Sequence, residues 1–187
     1  MDRFSGRGHG DAEFVLDAPV ADRLPLPALD PDGDTVIVAP GPDAGTVVTP
    51  QPLVDATRDL GRVRAEGVEA AEAAVWRFRG DGAAAVRRLY DRAALATDCD
   101  SLGLSAAMLT ATVGYAGVRE QFGRPIGSFQ AVERACADML AQISVARRLV
   151  ADAVRAEVAS APDAGDAAAM AKAFATEMAV RVAGKAM

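Results

Sequence analysis

From Leu95 onward, apolar residues recur at alternating steps of four and three, through Cys99, Leu102, Ala106, Leu109, Val113 and Ala116. That rhythm draws one stripe along a helix. It stops at Arg119, where Gly123, Pro125 and Gly127 form a corner. It resumes near Ser128 as Phe129, Val132, Cys136, Met139, Ile143, Ala146, Val150 and Val154, with Glu133, Arg134, Arg148, Asp152 and Arg155 on other faces. Two long antiparallel bundle helices are therefore expected. The stretch Ala161-Pro162-Asp163-Ala164-Gly165 breaks the second, and Asp166 can cap a third that carries Met170, Phe174, Met178 and Val182.

The first sixty or so residues obey a different rule. Pro19, Pro25, Pro27, Pro31, Pro40, Pro42, Pro50 and Pro52 forbid long helices. Short β-prone runs, Glu13 to Leu16, Thr35 to Ala39, Thr46 to Thr49 and Arg62 to Arg64, lie between turn signals, and Asp30-Pro31-Asp32-Gly33-Asp34 reads as a hairpin turn. A few antiparallel strands are expected here, too few to close an independent sheet comfortably. The fold class is thus mainly α, an incomplete antiparallel helical bundle preceded by a few strands. The expected organisation is a flexible terminus over 1–11, β structure over 12–70 and the bundle over 83–187.

Composition narrows the chemistry. With 187 residues the chain can bury one good core or two small ones, and a formal charge of −6 argues against a nucleic-acid partner. His9, the sole histidine, lies in a glycine-rich stretch, which removes serine–histidine catalysis and histidine-containing zinc sites from consideration. Cys99 and Cys136 lack any Cys-x-x-Cys spacing, so a reduced, cytoplasmic setting is the expectation. Residues 1–12 are polar and glycine-rich rather than basic then apolar, and no signal peptide is expected there. Ser101 to Val118 carries no charge but is rich in Ser, Thr, Gly and Ala, so it reads as a helix covered by other helices rather than a membrane span. Gly103, Gly114 and Gly117 within it suggest close approach of a neighbouring helix, with a ligand touching backbone as the alternative.

The corner itself holds one cation and one amide, Arg119 and Gln130, beside a turn between two helices. A guanidinium forks onto phosphate oxygens and the start of the next helix adds unpaired N–H groups, an arrangement suited to a phosphate-bearing cofactor. The alternative is a helix hairpin with a salt-bridged arginine.

The string from Arg119 to Val132, Arg-Glu-Gln-Phe-Gly-Arg-Pro-Ile-Gly-Ser-Phe-Gln-Ala-Val, resembles a signature of the carboxy-terminal helical domain of the acyl-CoA dehydrogenases. Phe14 to Asp22 looks like a strand and turn of that family's middle β-domain, and Asp55 to Arg58 with Arg62-Val63 looks like its closing strands. The resemblance implies FAD-dependent α,β-dehydrogenation of an acyl-CoA thioester, with electrons passed to an electron-transferring flavoprotein and subunits assembled as homo- or hetero-oligomers. It implies that Arg119 and Gln130 contact the FAD of a neighbouring subunit near its pyrophosphate, and that Phe122 packs beside the same cofactor. Core filler at the turn is the other reading of Phe122. Where many members have Asp-x-Glu-Arg, this chain has Asp91-Arg92-Ala93-Ala94. Asp91 and Arg92 are candidate substrate contacts or a helix-surface salt bridge, while alanine can neither abstract a proton nor bind phosphate. The sequence ends at Gly184-Lys185-Ala186-Met187, before the family's later glycine-rich segment and base would begin, so no catalytic residue and no metal ligand are assigned. The expectation is a piece of an enzyme inactive by itself, or a non-catalytic partner subunit.

Overall fold

The computed structural model describes residues 8–40, 45–55, 57–68 and 74–186. Their contacts divide into two compact units, Met1–Arg87 and Arg88–Met187.

Among its described residues the first unit holds six strands, β1 (Gly8–Leu16), β2 (Leu26–Leu29), β3 (Thr35–Val38), β4 (Thr46–Gln51), β5 (Leu60–Val68) and β6 (Val75–Arg77). They form two three-stranded antiparallel sheets, ordered β1-β5-β4 and β2-β3-β6. Residues 8–11, expected within a flexible terminus, belong to β1, and residues 1–7 lie outside the described ones. Strand β2 contradicts the local proline signal, because Pro27 sits on a sheet edge where its missing N–H leaves no ladder bond unmade. The hairpin turn forms as expected. Asp30 N–H donates to the Asp34 carbonyl at 2.9 Å, and Gly33 supplies the left-handed conformation, φ 87°. The Asp30 carboxylate is buried, accepts the Asp32 and Asp34 N–H groups and pairs with Arg77. A β-bulge interrupts β1 at Phe14, whose N–H donates to Gln51 Oε1 at 2.8 Å.

Helix α1 (Gly82–Val118) starts where Asp81 Oδ1 accepts the Ala84 N–H at 2.9 Å, an N-cap. The second unit continues through α2 (Gln130–Val158) and α3 (Ala164–Ala186). Its core joins Met139, Ile143, Ala146, Val150 and Ala153 of α2 to Ala168, Ala171, Ala175, Met178 and Val182 of α3, with Leu95 of α1. Alanine at the contact lets the two helix backbones approach closely, so the bundle is held by many small contacts rather than by aromatic bulk. The link between α2 and α3 is a Schellman cap. Ser160 takes φ 50°, its N–H donates to Glu157 O, and Ala161 N–H donates to Ala156 O.

Three expectations about these helices are corrected. Helix α3 begins at Ala164, with Asp166 in its first turn rather than at the cap, because Ala167 N–H already bonds Asp163 O. The innermost stripe of α1 runs Leu95, Asp98, Ser105 and Ala116, while Cys99 and Val113 are exposed and Met170 of α3 faces solvent. The 3.6-residue period turns a strict four-three repeat off the buried line over this length. Finally, α1 is covered on one side only by the other described helices. Leu104, Tyr115 and Val118 are exposed, and a Cβ at Gly103, Gly114 or Gly117 would meet nothing within 4 Å. By length and composition α1 could cross a membrane.

The core assignment predicts that Met178→Ala, at a fully buried site, costs roughly 2–5 kcal/mol. Met170→Ala, at an exposed site, should stay within about 0.5 kcal/mol. Urea unfolding of both variants against the parent chain measures the contrast.

Candidate functional site

The corner between α1 and α2 is a miniature hairpin. Arg119 N–H donates to Tyr115 O at 2.8 Å, ending α1, and Arg119 O accepts the Ile126 N–H at 2.8 Å, closing the loop. Between these ends, β7 (Glu120–Gln121) pairs with β8 (Arg124–Pro125). The two connecting residues, Phe122 at φ 54° and Gly123 at φ 74°, are both left-handed, the signature of a type I′ turn. A single 3₁₀ turn, Ile126–Ser128, then delivers the chain to α2. It passes so close to α1 that a Cβ on Gly127 would stand 3.0 Å from the Ala116 carbonyl oxygen.

This turn places Arg119 and Gln130 at its two exits, both exposed. Neither side chain forms a hydrogen bond or salt bridge among the described residues. The salt-bridged-arginine reading is therefore not met among the described residues. Helix α2 starts at Gln130, and its N-cap residue Phe129 provides no side-chain cap, so the first N–H groups lack a side-chain acceptor. Phe122 is 91% exposed, which removes the core-filler reading. Its ring meets the edge of Phe129 at 6.1 Å and 83°, and the Arg124 guanidinium lies over the Phe129 ring at 4.1 Å. A bulky residue in left-handed backbone costs about 1–3 kcal/mol, and such strain concentrates at binding sites. Arg124 thus belongs to the stack. Beneath the hairpin runs an apolar groove of about 330 Å³, lined by Val113, Ala116, Val132 and Cys136 among others.

The other candidates lie elsewhere in the bundle. Arg92 Nε donates to Glu157 Oε1 at 2.6 Å, and Arg88 Nε donates to the same oxygen at 2.9 Å. Arg88 Nη2 also reaches Ser160 Oγ at 3.1 Å. Arg92 is thus one arm of an ion pair tying α1 to the end of α2. Asp91 lines a cleft of about 220 Å³ with Arg88, Glu157, Ser160 and Gly165. Hydrogen bonds from Arg92, then Arg88, hold the Glu157 carboxyl below its ordinary range. Glu157 and Arg88 escaped sequence reasoning, because an ion pair spanning 69 residues leaves no local pattern.

A model of the acyl-CoA dehydrogenase carboxy-terminal domain matches residues 80–187. The chain belongs to the acyl-CoA dehydrogenase family. Among curated relatives, acyl-CoA dehydrogenase IpdE2 of Mycolicibacterium smegmatis is 33% identical over 165 residues, covering 88% of this chain and 45% of that protein. Among solved structures, a chain of the Tcur3481-Tcur3483 steroid ACAD is 30% identical with a TM-score of 0.81, covering 96% of this chain and 47% of that one. A chain from the electron transferring flavoprotein structure of Acidaminococcus fermentans is 27% identical with a TM-score of 0.82, covering 95% and 48%. The chain spans less than half the length of these relatives. The signature corner falls inside the matched domain.

Two outcomes follow. Glu157 is depressed in the folded state, so its pairing contributes stability above the ordinary glutamate range, roughly pH 4.3, that is lost as pH falls through the folded value. Melting curves from pH 7 to pH 3 should converge for the parent chain and Glu157→Gln at the acid end and diverge at neutrality. Gly127→Val should destabilise the chain by about 1–3 kcal/mol by pushing the hairpin off α1, checked by denaturant midpoint.

Proposed function

We propose that this chain serves an acyl-CoA dehydrogenase flavoenzyme by lending Arg119, Gln130 and Phe122 to an FAD held with a neighbouring subunit. The observation that carries this reading is the unpaired Arg119 guanidinium at a hairpin whose strained turn exposes an aromatic ring. The donor set fits the group. A planar fork and a carboxamide suit pyrophosphate oxygens, uncapped helix N–H groups favour negative charge, and Phe122 offers an apolar face. FAD, when bound, supplies the hydride acceptor for α,β-dehydrogenation of an acyl-CoA thioester. The residues of this chain bind and orient it. Electron transfer onward to an electron-transferring flavoprotein, a cytoplasmic location and no insertion of α1 into a membrane belong to the same proposal. An oligomer is part of it too, since exposed Leu104, Tyr115 and Val118 on α1 give assembly an apolar face.

A second reading, a non-catalytic partner subunit, is favoured by Ala93 and Ala94. They stand where family members carry a glutamate and an arginine, and neither can move a proton or hold a phosphate. Arg92, engaged by Glu157, does not replace that arginine unless the ion pair opens. Asp91, in its cleft, is the remaining substrate contact of this proposal.

Two measurements test these statements. The purified chain with FAD, an acyl-CoA and an artificial electron acceptor should give no substrate-dependent reduction above a protein-free control; turnover would refute the non-catalytic reading. In an FAD-loaded assembly containing this chain, Arg119→Ala should weaken FAD binding about 10- to 100-fold, the worth of a charge-assisted contact. Unchanged flavin affinity would refute the lent-arginine reading and leave a packing module.

A further inference from the structure

Asp98 is the anomaly of the bundle. It lies in α1 one turn beyond Leu95, is 0% exposed, and neither carboxylate oxygen has a hydrogen-bond partner. A buried carboxylate in that condition is expensive as an anion, because an unpaired charge loses its hydration with nothing in exchange. Ser105, two turns along the same buried line, spends its hydroxyl on the Ser101 carbonyl at 2.7 Å and is not available.

The surroundings offer little relief. From α3, the charged group that acts on Asp98 is Lys172, half-buried and not bonded to it. Helix α2 contributes Met139, Ile143, Ala146, Val150 and Ala153 to the core, and none of its charged groups acts on the carboxyl. On α1 itself, Arg92 lies nearly two turns away and is held by Glu157, while Asp100, two residues on, points to another face of the helix. Burial pushes the Asp98 carboxyl above its ordinary range, and Lys172 opposes that shift without cancelling it.

We propose that Asp98 is a proton-dependent clasp. Carried as a neutral acid it lets α1 seat in the α2–α3 core, and its ionisation loosens that seat, with Lys172 as the charge among the described residues that moderates the loss. The direction follows from linkage: a carboxyl raised in the folded state contributes stability fully present below its unfolded value, about 3.9, and lost as pH rises through its folded value. The consequence reaches beyond stability, because α1 leads directly into Arg119. Any loosening of α1 displaces the hairpin that the proposed cofactor contact needs, while the clasp itself stands without that contact.

The test uses the whole chain without FAD, so failure of the flavin reading leaves it intact. Thermal midpoints are compared between pH 4.5 and pH 8.5 for the parent chain, Asp98→Asn and Lys172→Met. Asp98→Asn should flatten the alkaline loss, gaining about 5 °C or more on the parent between the two ends. Lys172→Met should deepen the loss at the alkaline end only. In the parent chain, carbon-13 NMR of the aspartate carboxyls should show one group titrating above the rest. Asp98→Asn and Lys172→Met losing stability equally at every pH would mean a fixed ion pair and overturn the proposal. So would an Asp98 carboxyl already ionised at pH 4.5. If Asp98→Asn does not fold, the carboxyl titration of the parent chain decides alone.

Discussion

The hydrogen bond from Ile126 N–H to the Arg119 carbonyl is the constraint on which the candidate site depends. It converts a break between two helices into a closed hairpin, so that Arg119 leaves at one exit and Gln130 follows the other. Gly127 eases the closure, since a Cβ there would stand 3.0 Å from the Ala116 carbonyl oxygen and force a small shift. Phe122 and Gly123 then reverse the chain in the least space, and the phenyl ring is left outward because the left-handed backbone turns it away from the bundle. Backbone geometry, rather than side-chain pairing, aims the site.

Beneath that corner the bundle is built asymmetrically. Helices α2 and α3 share an alanine-rich interface with Met139, Ile143, Met178 and Val182 fully buried, whereas α1 gives the core only a narrow line. On that narrow line one position is Asp98 and another is Ser105, so the least covered helix also carries the polar groups of the core. The Arg88 and Arg92 pairing with Glu157 ties the same helix to the end of α2 by exposed charges, which solvent and salt weaken. Helix α1 is thus the least covered of the three described bundle helices and the one whose seating the proposed clasp concerns.

Much of this was legible in the sequence, for identifiable reasons. The helix pair and its corner followed from a stripe broken only by Gly123, Pro125 and Gly127, and the Asp30–Asp34 turn followed from its aspartates and glycine. Strands β2 and β6 were not legible, one hidden by Pro27 on an edge and the other only three residues long. Arg119 and Gln130 could be singled out because a family signature runs through them. That the guanidinium is unpaired needed coordinates. The Glu157 pairing was invisible because its partners lie 65 and 69 residues away. Asp98 did carry a signal, a charge three residues after Leu95 on an apolar face, but a strict four-three stripe steps over it to Cys99.

The proposed function reduces to one physical claim, that this chain grips part of a cofactor whose remaining contacts come from another chain. The most direct measurement is an experimental structure of an FAD-containing assembly that includes this chain. The account predicts the Arg119 guanidinium and the Gln130 carboxamide within about 3.2 Å of the FAD pyrophosphate oxygens, with the isoalloxazine ring held mainly by a neighbouring subunit. An FAD bound with Arg119 and Gln130 both facing solvent, or with its pyrophosphate held wholly by another chain, would contradict it.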